Sequence, residues 1–180
     1  MSNEVEVLRI GKIEAAHRQL ETAARLYFNS QDVVSIHTLV SAAHQILDDL
    51  AKQAGGKRML ASSLDSIGDP AVIAEVRKYM REPQNYFKHA DREGAPEVKF
   101  SPGLSELMLI DGAGMLIQLS GEEPTMLRAF EKWFFMHHPE ILKSLPGIHA
   151  IAVAAQRTFG TMSRAEFLSA FLKTSGEPSR

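Results

Sequence analysis

His17, His44 and His89 are the residues of this 180-residue chain best suited to chemistry near neutral pH, where an imidazole can hold a proton, pass it on or ligate a metal. Glu14 stands three residues before His17 and Asp48 four after His44, so on helices each imidazole shares a face with a carboxylate. Glu-x-x-His is the unit that di-iron four-helix bundles use twice, with further glutamates from other helices. Here it occurs once. A mononuclear site built from His17, His44 and a carboxylate at Glu14 or Asp48 is chemically reasonable, because neutral imidazole suits a divalent transition metal such as Zn, Fe or Ni. The plainer expectation is a hydrogen-bonded polar layer in the core, since an unsatisfied buried polar group costs about 1–3 kcal/mol. His37, between the two, is expected to face solvent.

A second cluster lies in the middle of the chain, where Gln84-Asn85-Tyr86-Phe87-Lys88-His89-Ala90-Asp91 follows Pro83. It packs an amide pair, two aromatics, a base, a histidine and an acid into eight residues. His89 is placed for general acid or base work, with Asn85 one turn earlier to position a substrate or phosphate. Lys88, Arg81 and Arg92 supply charge for an anion, with Arg77 and Lys78 upstream and Asp91 beside them. Residues 77–99 hold six Lys or Arg against four Asp or Glu. Equally, Tyr86 and Phe87 can pack inward while the charges stay solvated.

On those residues the segment resembles the Arg-Asn-x-x-x-His signature of HEPN-domain proteins. The resemblance implies a helical bundle, commonly a homodimer, whose relatives include metal-independent ribonucleases and partners of nucleotidyltransferases. In that family the arginine and histidine form the RNA-cleaving pair. The match covers about six residues, and the arginine position is Gln84 here. Glutamine carries no cation to stabilise a developing phosphorane charge, and Arg81 falls one turn too early. The resemblance therefore implies RNA or nucleotide binding in a catalytically degenerate member.

Composition narrows the classes without choosing among them. A formal charge of −2 gives no global field for nucleic acid or an anionic membrane, though it permits a local basic patch. With no cysteine there are no disulfides, thiolate metal sites or thiol nucleophiles. The acidic start Met-Ser-Asn-Glu-Val-Glu is unlike a signal peptide, and the greasiest stretch, Leu104 to Leu119, is interrupted by Glu106 and Asp111. A cytoplasmic protein with no membrane segment is the expectation. Phosphate loops, dinucleotide fingerprints, nucleophile elbows and His-Glu-x-x-His are all missing.

The elements that must position these residues read as helices throughout. Ile10, Ile13, His17, Leu20, Ala24 and Tyr27 form one stripe, and Val33, Ile36, Val40, Ala43, Leu47 and Leu50 form the next. If residues 29–32 are a tight turn, the two helices run antiparallel and His17 and His44 lie level, so that two imidazoles meet inside. The first helix is expected over 4–28, and the second from an Asp32 cap to Gly55-Gly56. A polar connection follows over 57–68. Asp69-Pro70 restarts a helix carrying Val72, Ile73, Val76 and Tyr79 inward and stopping before Pro83, with a short helical piece over 84–90. Residues 97–100 are an extended connector. Later helices open at Ser101-Pro102, Pro124, Ile148 and the capping box Ser163-Arg-Ala-Glu166. The 102–119 helix is apolar all round and so central, with Gly112 and Gly114 allowing close approach and Asp111 either on its one wet edge, the commoner case, or buried with a partner as a site lining. The fold class is thus all-α: a single-domain bundle over 1–174 with a long N-terminal antiparallel hairpin, and a frayed tail at 175–180. Three functions fit: a HEPN-like binder of RNA, nucleotide or another phosphate-bearing ligand; a metal-binding bundle; or a partner-binding helical protein without chemistry.

Overall fold

Cap residues set several helix ends where the sequence places them, at Asp32, Gly55, Asp69 and Ser163. The computed structural model describes residues 7–89 and 96–176, and there the chain is all helical with no strand. The hairpin is formed by α1 (Lys12–Phe28) and α2 (Val33–Ala54). Asp32 caps α2 by accepting the Ser35 N–H at 2.7 Å, and Gly55 ends it in the left-handed conformation at φ 66°. α1 begins later than expected, at Lys12. Val7, Leu8 and Ile10 ahead of it are exposed, so no packing offsets the helix-breaking cost of Gly11.

The segment read as a polar connection holds a short helix, α3 (Met59–Asp65). None of its residues is buried, which is why no apolar stripe announced it. Next comes α4 (Pro70–Lys88), capped by Asp69, which accepts from the N–H groups of Ala71 and Val72. It runs through Pro83 rather than stopping there. A proline inside a helix removes one hydrogen bond and crowds the preceding turn. Pro83 is fully buried, so its ring recovers contact where its nitrogen loses a bond. The inward stripe expected on this helix is overturned in part: Val72 and Tyr79 are exposed, and Ile73 and Val76 only half-buried.

At the centre lies α5 (Pro102–Ser120), with ten residues buried, as an all-round apolar helix requires. Gly112 lets Leu20 of α1 close in, since a Cβ there would stand 3.3 Å from a Leu20 methyl, whereas one at Gly114 would meet only open space. α6 (Thr125–His137), a 3₁₀ turn (Pro139–Leu142), α7 (Pro146–Phe159) and α8 (Arg164–Ser175) complete the order. An aromatic cluster of Tyr27, Phe28, Phe130 and Trp133 locks α1 to α6 edge-to-face, with the Trp133 Nε1–H donating to the Tyr27 hydroxyl at 3.0 Å. Burial pushes the Tyr27 phenol up to about 12, although the Arg164 guanidinium, stacked 3.7 Å from the ring centre, opposes it. The Ser163–Glu166 capping box on α8 forms as read. Among the described residues no helix is long and apolar enough to cross a membrane.

Candidate functional site: a cationic cleft between α2, α3 and α4

The four residues proposed as metal ligands do not come together. Glu14 is taken by Arg18 at 2.6 Å, and Asp48 by Arg58 Nη1 at 3.1 Å. His17 lies between Glu21 and Glu122, at 3.7 and 3.6 Å, and its Nε2 is buried without a hydrogen bond. His44 donates from Nε2 to Asp111 Oδ2 at 2.9 Å. The two imidazoles share no hydrogen bond, ion pair or ring contact among the described residues, and no group of three His, Asp or Glu is arranged to hold a metal ion there. The hairpin forms as read, and within it the rings find other partners than each other: His17 turns to Glu21 and Glu122, and His44 to Asp111.

Two polar residues of the apolar helices are buried with partners. Asp111 sits not on a wet edge but buried, 4% exposed, between His44 and the start of α3, where its Oδ1 accepts the Met59 N–H at 2.8 Å. Two donors on a fixed carboxylate offset the cost of removing it from water. His37 is fully buried rather than solvent-facing, with Ser105 Oγ 3.0 Å from Nδ1 and Ser41 Oγ 3.1 Å from Nε2. A neutral imidazole has one donor and one acceptor, so one hydroxyl receives and the other gives. Burial, helped by the nearby Lys88 charge, pushes the His37 imidazole down to about 4. Phe87 and Phe100 close over its ring.

What does converge is a polar cleft of about 310 Å³. One wall is the face of α2 that carries Ser41, His44, Gln45, Asp48 and Lys52 at helical spacing. The opposite wall is α4, where Arg77, Arg81 and Gln84 recur one turn apart. Arg58 and α3 close it, and Leu60, Leu64, Met80 and Met108 give it an apolar floor. Four cations line it against two carboxylates. Arg58 is spent on Asp48, and Arg77 on Asp65 at 3.3 Å, whereas neither Lys52 nor Arg81 forms an ion pair among the described residues. Arg81 stands one turn before Gln84, which puts both side chains on the cleft side of α4. A second, more apolar cleft of about 480 Å³ lies across the Lys57–Met59 strap, which Gln118 holds by bonding both backbone groups of Lys57.

The middle-chain cluster is therefore divided. Arg81 and Gln84 reach the cleft, whereas Asn85, Lys88 and His89 are exposed outside its lining, with His89 capping the end of α4. Asp91 and Arg92 lie outside the described residues. Lys52 and Arg58 were not singled out from sequence, because lysine and arginine near a helix C-terminus are ordinary there. The one signal that could have found Lys52 is its spacing of eight from His44. No protein-family model, curated protein or solved structure matches this chain, so the functional assignment rests on the site's own chemistry.

Proposed function

We propose that this helical bundle binds a phosphate-bearing ligand of the nucleotide or RNA type in the cleft between α2 and α4. The observation that supports it is the pairing of Lys52 with Arg81 across a small cleft, both without carboxylate partners among the described residues, above a floor of Leu and Met. Unpaired cations attract a phosphate, and the apolar floor suits a base or sugar. The volume stands at the lower end of the roughly 300–1,000 Å³ typical of small-molecule sites, which matches one nucleotide unit and not a folded RNA.

The likeness to HEPN-domain proteins points the same way and also limits the claim. Gln84 occupies the position of that family's arginine and lines the cleft as a neutral amide, which can hydrogen-bond a phosphate but cannot neutralise a transition state. Binding without RNA cleavage is the function that follows. Fluorescence anisotropy with a labelled single-stranded oligoribonucleotide at low salt tests it. Lys52→Glu combined with Arg81→Glu is expected to weaken binding at least tenfold, while His89→Ala changes it less than twofold. Equal affinity of wild type and the double variant overturns the proposal.

A further inference from the structure

We infer that two copies of this chain associate, with α7 of one copy seated in the groove between α5 and α6 of the other. The contact is independent of ligand binding in the cationic cleft, with which the groove shares only Arg58.

The convex partner is α7. A helix of its 14 residues is marginal in water on its own, and packing of an apolar face normally supplies what propensity lacks. Yet α7 buries only Ala152. Ile148, Ile151 and Phe159 are exposed, Ile151 at 70%, as is Leu145 at the helix start. Large apolar side chains left in water along one helix mark a contact surface.

The concave partner lies along α5. Gly103, Leu107, Ile110, Gly114 and Ile117 alternate four- and three-residue steps and so share one face of that helix. Leu127, Glu131, Phe134 and His138 line the same space from α6. The apolar cleft of about 480 Å³ ends at Ile110, and a further cleft of about 630 Å³ begins one turn away at Leu107, so the two make one groove. Its floor is open at Gly114, where a Cβ would touch nothing. From Gly103 to Ile117 the groove runs about 21 Å at 1.5 Å per residue, which is also the length of α7.

Charge selects the occupant. α7 contains no Asp or Glu; it carries Arg157, and Lys143 stands just ahead of it. Neither cation forms an ion pair among the described residues. The groove carries Glu106, Glu131 and Glu140 against Lys57 and Arg58. Arg58 is held by Asp48, Glu106 by Arg164 and Glu140 by His138, which leaves Glu131 without an ion-pair partner among the described residues. An apolar helix with basic flanks fits this seat in length, shape and charge, and α7 is such a helix. Each copy carries both surfaces, so two contacts about a two-fold axis close a dimer.

Ile151→Glu on α7 and Leu107→Arg in the groove test the contact from both sides, and both replace exposed residues, so the fold is kept. Sedimentation velocity across the micromolar range is expected to show a wild-type dimer whose dissociation constant rises at least tenfold in either variant. Because the chain has no cysteine, Ile151→Cys and Leu107→Cys report which surfaces meet. Mixed under oxidising conditions, these two proteins are expected to cross-link to each other at least fivefold more than either does to itself. A wild-type monomer throughout that range overturns the inference and leaves the groove to another occupant. A dimer indifferent to either charged substitution, or cross-links formed only between like positions, overturns it as well.

Discussion

At the scale of single residues, the fold depends on polar groups being partnered where they are buried, and His37 shows the consequence most directly. The folded protein keeps this imidazole neutral down to about pH 4, whereas an unfolded chain takes up the proton near the usual 6.5. The folded state binds fewer protons in that window, so stability is whole above pH 6.5 and is lost as the pH falls towards 4. The shift corresponds to roughly 3 kcal/mol at most. Urea unfolding at pH 7 and pH 4.5 should therefore show a fall in wild type that His37→Leu largely lacks; an equal fall in both contradicts it. Such residues are the least legible in sequence. His37, His44 and Asp111 look alike as isolated polar positions on apolar helices, and only the neighbour across the gap decides which is buried with a partner. For His37 that neighbour is Ser105, distant in sequence, and no periodicity reports it.

Elements were far more legible, because capping and patterning are local. Asp32, Asp69, Gly55 and the Ser163–Glu166 box mark helix ends that the structure reproduces, and the apolar-all-round pattern of α5 does place it at the centre. Failures came where a local rule met a tertiary one. Pro83 reads as a stop, yet its burial lets α4 continue; α3 has no buried face, so it left no stripe to find. Gly112 and Gly114 in the interior of α5 carry the same local expectation and different surroundings. Alanine in place of a helix-interior glycine gains about 1 kcal/mol where nothing obstructs it. Gly114→Ala should show that gain in thermal and chemical unfolding, because its Cβ meets open space. Gly112→Ala should show little of it, or a loss, because Leu20 is buried and has to give way. Equal gains at both positions would contradict the close approach of α1 to α5.

For the whole molecule, the central claim is that the hairpin and α4 together frame one cationic cleft, and that this cleft rather than the Asn85–His89 edge is where the protein meets its ligand. The fold and the motif were each visible separately in the sequence. Their junction was not, because His44 and Lys52 belong to the hairpin while Arg81 and Gln84 belong to a helix whose path past Pro83 had to be seen. Photolabelling with 8-azidoadenosine 5′-monophosphate, followed by peptide mapping, tests the claim at its weakest joint. Saturable label on peptides spanning residues 41–52 and 77–84, lost in the Lys52→Glu/Arg81→Glu protein, is the predicted result. Label confined to residues 85–89 or to the apolar cleft beside Gly114, or label unaffected by the double substitution, would contradict it.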